Sequence, residues 1–395
     1  MNNLINKNIL KSEVQDFIQK NLKTDLQKLI LKGSPFLDVS IQELAIQIDG
    51  KNKAEKKLPT WFNTKNIIFP PKLNLEQASS EITAKYKVSF IGTGNLIDLT
   101  GGYGVDDYYF AKKANTVYHC EMNEQLSAIV KHNAKALGIN NIQCVLGDSK
   151  DFLTKQEKVD TLYIDPSRRA ESSRVFLFKD CEPNVIESLS LYLKKAKKVL
   201  IKAAPMLDIS AGINELKNVA EVHIISVNNE CKELIFILTP AQVAEPKIYC
   251  ALLNQKQERV YPFSYAEEKA IEIKAKPLKT YLYEPDAAIL KAGFFKSVTQ
   301  KFEVDKIHQH THLYTSETKV ENFAGKTFEV IKTTLFQNFR ASKLLPKANV
   351  VTRNFHLKPD EIKKTFKIKD GGDIYLFFCT DYKEQKVVIE AKRIY

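Results

Sequence analysis

The chain is short of several things that would settle its class quickly. Its six cysteines (Cys120, Cys144, Cys181, Cys231, Cys250, Cys379) include no CxxC pair and have no histidines at ligand spacing, so neither a zinc site nor a disulfide framework is indicated and reduced, mostly buried thiols are expected. No stretch approaches the ~20 consecutive apolar residues of a membrane span, and the opening MNNLINKNILKSEVQDFIQK has no uninterrupted apolar core. A cytoplasmic protein without metal or membrane partner is therefore expected. Repeats and low-complexity tails are missing as well. Acidic residues are in deficit: 47 Asp and Glu face 59 Lys and Arg, a net charge of +12. That balance favours an anionic partner such as nucleic acid, although a merely solvated basic surface would look the same.

What is present is a soluble composition, 44% hydrophobic and 27% charged over 395 residues, enough for two or three domains. Residues 10–32 carry Val14, Phe17, Ile18, Leu22, Leu26, Leu29 and Ile30 at helical steps. A lysine-rich turn is expected over Gly50 to Lys57, then the Pro70-Pro71 break, then a helix over Leu73 to Phe90. From Asn95 short apolar runs alternate with helical stretches: Leu96 to Leu99, Thr116 to Cys120, Ile142 to Leu146, Thr161 to Ile164 and Lys198 to Ile201. Such alternation predicts βαβ units and a mainly parallel sheet. Glu221 to Val227 and Glu233 to Leu238 are joined too tightly for a parallel crossover and should form an antiparallel hairpin. Beyond Pro240 a helix through Ala287 to Phe302 and a strand near His312 to Thr315 are expected. The last ~70 residues read as a compact α+β unit: strand Asn349 to Asn354, helix Pro359 to Phe366, a turn at Gly371-Gly372, and a hairpin of Ile374 to Cys379 with Val387 to Ala391. The domains expected are 1–68, a helical region; 69–240, the α/β sheet; 241–324, a connecting segment with a small domain; and 325–395, an α+β domain.

The sharpest local signal is Ile97-Asp98-Leu99-Thr100-Gly101-Gly102-Tyr103-Gly104-Val105-Asp106, an apolar strand that ends in an acid and enters a glycine-rich turn. Glycines there permit positive φ and close approach of a ligand to the main chain. The helix expected at Tyr108 to Lys113 would turn its N–H groups toward an anionic group, such as the methionine carboxylate of S-adenosylmethionine, with Asp98 pairing the cofactor's ammonium. A glycine turn alone is also an ordinary strand-to-helix corner. Three further acids strengthen the reading. Glu121, followed by Met122, ends the second strand, where a carboxylate can take both ribose hydroxyl protons. Asp148, followed by Ser149, closes the third, within reach of an adenine amino group. Asp165 closes the fourth. Four strand ends on one rim of a parallel sheet are where such folds bind ligands. A dinucleotide fingerprint fits poorly, because its third glycine would fall at Asp107 and Asp98 would face a pyrophosphate. In the segment before the first strand, Ser80, Glu81 and Tyr86 are candidates to cover the cofactor, with a capped surface helix as the alternative.

Asp165-Pro166-Ser167-Arg168 sits where amino-group methyltransferases carry Asp/Asn-Pro-Pro-aromatic, a motif that orients a target –NH2 by hydrogen bonds to the acid and a backbone carbonyl. Here Ser167 replaces the second proline and Arg168 the aromatic. A guanidinium can stack on a base, and Arg168 with Arg169 can hold phosphate; a strand-end turn with solvated arginines is the plainer alternative. Carbon methylation of a pyrimidine would need a thiolate just after the fifth strand. That stretch reads Ile201-Lys202-Ala203-Ala204-Pro205-Met206, so nitrogen or oxygen acceptors are favoured, and Lys202 is either structural or a phosphate contact.

Six strings, FPPKLNLEQASSEITAKYK (69–87), IDLTGGYGVD (97–106), YIDPSRR (163–169), YLYEPDAAILKAGFFK (281–296), HLYTS (312–316) and VVTRNFHLKPDEIKKTFKIKDGGDIYLF (350–377), resemble the bacterial class I methyltransferases that carry a ferredoxin-like piece and a THUMP-like carboxy-terminal domain. The resemblance covers nearly the whole chain. It implies a Rossmann-like seven-stranded sheet, S-adenosylmethionine as cofactor, and RNA, tRNA or rRNA, as the suspected substrate, because true THUMP domains bind RNA. It makes Arg340, Lys343, Arg353 and Lys358 candidate phosphate contacts, with solvated basic residues as the alternative. Two other readings stay open: an RNA-binding protein whose methyltransferase domain no longer transfers methyl, and a small-molecule or protein methyltransferase.

Overall fold

The computed structural model describes residues 4–168, 177–339 and 347–395. Two compact units are present, one of 1–222 with 233–246 and one of 223–232 with 247–395.

The first unit opens with helices Ser12–Lys20, Leu26–Lys32, Ile41–Lys57 and Pro59–Asn63. The Gly50 to Lys57 stretch expected as a turn is instead the continuation of the Ile41–Lys57 helix. The reason is close packing: a Cβ on Gly50 would lie 2.4 Å from the Phe69 Cβ, so the glycine lets residue 69 press against the helix. The Gln47 side chain also donates to the Phe69 carbonyl and accepts from its N–H, both at 2.9 Å. A serine cap with a reciprocal Glu43 bond starts this helix. The helix expected over Leu73 to Phe90 is broken in two, Lys72–Gln77 and Glu81–Lys87, because Ser80 caps the second piece and Ser79 turns its hydroxyl inward. Trp61 is buried and meets Tyr108 edge-on at 4.9 Å, joining the leading helices to the sheet domain in one core.

The strands then follow as β1 Leu96–Asp98, β2 Val117–Glu121, β3 Ile142–Leu146, β4 Val159–Ile164, the two-residue pair β5 Ser167–Arg168 and β6 Cys181–Glu182, β7 Ala196–Ala203, β8 Val219–Val227 and β9 Glu230–Leu238. Seven of them run in the order β8-β9-β7-β4-β1-β2-β3. The β1, β2, β3, β4 and β7 pairings are parallel, and β9 is antiparallel to β7. This is the Rossmann-like α/β sheet with its reversed last strand. The hairpin arises because Asn228 and Asn229 both take positive φ, the turn whose twist matches the flanking strands.

The second unit holds the outer hairpin residues 223–232 beside β10 Lys247–Leu253 and β11 Glu258–Phe263, an antiparallel pair. Its own sheet comprises β12 Tyr281–Pro285, β13 Asp305–Lys306, β14 Tyr314–Ser316, β15 Gly325–Leu335, β16 Asn349–Arg353, β17 Ile374–Thr380 and β18 Lys386–Ile394, in the order β13-β14-β12-β15-β18-β17-β16. Only β16 and β17 are parallel to each other among the pairs described, and the helix Pro359–Phe366 makes that crossover. The Ala287 to Phe302 helix expected is split into Ala287–Ala292 and Ser297–Lys301, with Gly293 in the left-handed conformation closing the first piece.

Candidate active site

β1 lies between β2 and β4, with Asp98 level with His119 and Tyr163. The glycine corner after it packs against β2. Gly101 donates its N–H to the Cys120 carbonyl (2.9 Å), and a Cβ there would sit 2.2 Å from the His119 ring; no larger residue fits. Gly104 takes φ 70° and closes the turn onto the Gly101 carbonyl. The helix after it spans Val105–Phe110, three residues earlier than the expected start at Tyr108, and is buried throughout. Thr100 joins two strand ends. Its N–H and hydroxyl donate to Asp98 Oδ1 (2.7 and 3.0 Å), and its hydroxyl oxygen accepts from the Asp165 N–H (2.7 Å).

Along the rim, Glu121 Oε2 accepts from the Gly102 N–H (3.0 Å) and Oε1 from the Asn123 N–H (2.7 Å), so the second-strand acid and the glycine corner hold each other. Asp148 is exposed and caps the helix Ser149–Lys155 through the Lys150 N–H at 2.7 Å. Beside these acids, Met122 and Leu146 are 77% and 54% exposed at adjoining ends of β2 and β3, where Glu121 is level with Leu146. Two bare apolar side chains flanked by carboxylates suit the face and edges of a purine.

Beneath the corner, Asp98, Asp107 and His119 are buried together, and His119 Nδ1 lies 2.6 Å from Asp107 Oδ2. Burial, reinforced by the neighbouring Asp107, pushes the Asp98 carboxyl well above the usual range; burial and Asp106 do the same to Asp107. Burial pushes His119 down. No described lysine or arginine is within ion-pair distance of Asp98. An ammonium brought to it would restore its ionised form, which is what the amino group of an amino-acid-like cofactor offers.

Asp106 has a different fate. Its carboxylate receives the Lys87 ammonium (2.9 Å), the Ser79 hydroxyl (2.8 Å) and the Tyr163 hydroxyl (2.9 Å). Lys87 is fully buried and also meets Glu233 (3.0 Å) and Ser79 (2.7 Å). Although burial alone would raise the Asp106 pKa, Lys87 and Lys202 bring it below the usual range. Farther along the rim, Asp165 follows β4 and Lys202 sits on β7, the next strand. Lys202 Nζ is 2.5 Å from Asp165 Oδ2. Burial acts to lower the Lys202 pKa, but Asp165, Glu233 and Asp106 outweigh it and raise it above the ordinary lysine range. Pro166 is buried, and Ser167 donates to the Glu182 carbonyl (3.3 Å) in the β5–β6 pair.

The remaining candidates are dispersed. Ser80 caps its helix by accepting from the Thr83 N–H (3.3 Å). Glu81 is buried, with its oxygens on Thr60 and the Tyr109 hydroxyl, and Tyr86 meets Phe90 edge-on at 5.1 Å. In the second unit Arg353 pairs with the buried Glu284 (2.6 Å), which also holds Lys326 (3.1 Å), while Lys358 is exposed at the start of its helix. The side chain of Arg168, and Arg169, Arg340 and Lys343 entirely, lie outside the described residues. Lys87, Glu233, Asp107 and His119 were not anticipated. One signal for Lys87 exists, since Thr83, Ala84 and Lys87 share the buried face of a seven-residue helix. Among the described residues no group of His, Cys, Asp and Glu is arranged to hold a metal ion.

Comparison with known proteins agrees with this architecture. Residues 93–168 match the model of a family described as RNA cap guanine-N2 methyltransferase, 281–323 a ferredoxin-like domain and 325–393 a THUMP domain-like family. A crystal structure from Porphyromonas gingivalis W83, described as that of a candidate methyltransferase, is 29% identical, with 98% of this chain and 99% of that chain covered and a TM-score of 0.87. Two curated Pyrococcus abyssi proteins are similar over part of their length. One is a 23S rRNA (uracil(747)-C(5))-methyltransferase, 25% identical over 181 residues, or 43% of this chain. The other is the tRNA (guanine(37)-N(1))-methyltransferase Trm5b, 24% identical over 147 residues, or 36% of this chain. The chain spans only 39% and 42% of those relatives. With a Rossmann-like sheet, its acid-lined rim and both carboxy-terminal domains accounted for, the chain combines a methyltransferase domain with a ferredoxin-like and a THUMP-like domain.

Proposed function

We propose that the enzyme uses S-adenosylmethionine to methylate a nitrogen of an RNA base. The observation that carries this is the run of carboxylates at the ends of four parallel strands, Asp98, Glu121, Asp148 and Asp165, around one glycine corner. Asp98, together with the corner, would hold the amino-acid end of the cofactor; Glu121 the ribose; Met122, Leu146 and the Asp148–Ser149 segment the adenine. Ser80 and Tyr86 stay candidates for the covering segment. Bound there, the cofactor would supply an electrophilic methyl carbon on a sulfonium.

The chain's own contribution is positioning and proton handling. Asp165 Oδ2 is held by Lys202, which among the described residues leaves Oδ1 to accept an N–H of the acceptor and aim the nitrogen's lone pair at the methyl. The same carboxylate would take the proton that the methylated nitrogen must shed. Pro166 stiffens the turn, and Ser167 and Arg168 take the places where related enzymes have proline and an aromatic. An RNA acceptor is favoured by the charge of +12, by the THUMP domain-like match and by the substrates that the relatives' names give. The base would be single-stranded or flipped out, because a stacked one cannot reach Asp165. Nitrogen is favoured over pyrimidine carbon, since Ala203 to Met206 contain no cysteine and the thiols of Cys120 on β2 and Cys144 on β3 are both pushed up by burial.

The test is transfer of labelled methyl from S-adenosylmethionine to total RNA of cells lacking the gene, with Asp165→Asn beside it. RNA labelling lost in the variant supports the proposal. Cofactor binding without labelling would favour an RNA-binding role, and labelled product without RNA a small-molecule or protein acceptor.

A further inference from the structure

We infer that Lys202 is a positioning residue that fixes the acceptor carboxylate Asp165, anchored from behind by Glu233, Lys87 and Asp106, and is not a contact to RNA phosphate. This rests on the reading of Asp165 as the acceptor-side carboxylate. The placement follows from strand register. β4 and β7 are parallel with Ile164 level with Ile201, so residues 165 and 202 emerge side by side. β9 returns antiparallel with Leu234 level with Ala203, which brings Glu233 to the same rim. The Lys202 side chain is 11% exposed and ends 2.5 Å from Asp165 Oδ2. Phosphate recognition needs a cation that RNA can reach; this one is buried and already paired.

Behind it the charges alternate. Lys87 is ion-paired with Glu233 (3.0 Å) and with Asp106 (2.9 Å) and donates to Ser79 (2.7 Å), while Glu233 acts on Lys202 through its charge. Three carboxylates thus face two ammonium groups; Lys87, Lys202, Glu233 and Asp106 are buried, the Asp165 side chain is 35% exposed at the open end, and Lys87 has an anion on either side. Such a row holds together because removing any one member leaves a neighbour uncompensated. Its two ends are functionally placed: Ser79 lies just before the capped helix Glu81–Lys87, the candidate cofactor cover, and Asp165 lies at the proposed acceptor. The row ties the second to the first, and among the described residues it leaves one oxygen of Asp165 without a partner.

The experiment uses the full chain, methyl-labelled S-adenosylmethionine and total RNA from cells lacking the gene, with Lys202→Met, Lys202→Arg, Glu233→Gln and Asp165→Asn. Positioning predicts that Lys202→Met lowers kcat about 10- to 100-fold while the apparent KM for RNA, its salt dependence and the cofactor Kd stay unchanged. Lys202→Arg should restore most of the rate, and Glu233→Gln should lower kcat more mildly in the same way. A raised KM with a salt slope reduced by about one and kcat intact in Lys202→Met would overturn the inference in favour of a phosphate contact. If Lys202→Met does not fold, Glu233→Gln decides: an unchanged kcat overturns the inference. Full activity in Asp165→Asn would remove the underlying reading of Asp165 itself, an outcome distinguishable from failure at Lys202 alone.

Discussion

Two buried clusters under the same rim make opposite use of the same residue type. Asp98 and Asp107 sit with His119 and, among the described residues, no ammonium, and burial drives both carboxyls toward their protonated forms. Asp106, the immediate neighbour of Asp107, faces Lys87 and is held ionised. Depth in the protein is alike for all three; what differs is whether the chain supplies a cation. On the proposed function the cofactor's ammonium would supply the charge missing from the first cluster, while the second already holds two cations of its own.

The sharpest way to break this contrast is at Lys87. Replacing it with methionine strands Asp106 and Glu233 in the interior, and a loss of about 3–5 kcal/mol is expected, read from urea unfolding of the full chain. Gly101→Ala should come next, forcing a methyl group into the His119 ring. Overpacking of this kind costs about 1–3 kcal/mol, and cofactor affinity measured by calorimetry should fall with it. Asp98→Asn should act in the opposite sense on the empty protein. Because the folded-state pKa of Asp98 is raised, its stabilisation is full below the ordinary carboxyl range and is lost as pH rises toward the folded value. An amide removes that penalty, so the apo variant should unfold at equal or higher urea at neutral pH while its cofactor affinity drops. In the unaltered chain, cofactor binding should release protons, measurable as a dependence of the calorimetric heat on the buffer's ionisation enthalpy; a heat independent of buffer would contradict a protonated Asp98. The smallest effect belongs to the other unit: Lys358→Ala should weaken RNA binding a few-fold and lower the salt slope by about one, with cofactor binding untouched.

How much of this was legible depends on how local the cause is. The strands of the first sheet were readable because each is a short apolar run ended by a turn, and the hairpin because its connection is too short for a crossover. The glycine corner was readable because positive φ and contact with His119 leave few residue choices. By contrast, β15 went unread, since Lys326, Thr327, Lys332, Thr333 and Thr334 make Gly325–Leu335 look like a solvated segment; it is strand because β12 and β18 flank it. Position 50 looked like a turn because a glycine among lysines signals one, and only the approach of Phe69 reveals why a helix continues there. Lys202 left its role open, and nothing in the sequence singled out Lys87. Their partners Asp165, Asp106 and Glu233 are distant in sequence, and no pattern within one segment announces an ion pair made across strands.

Thr100 carries a consequence of its own. One hydroxyl gives its hydrogen to the acid of β1 and receives another from the amide of Asp165, so the proposed sites for methyl donor and methyl acceptor would share a single atom as their party wall. On that reading a shift on one side of the wall would reach the other through this one atom. Only serine could stand in for it, and an isosteric valine would keep the wall's shape while cutting the two rooms apart.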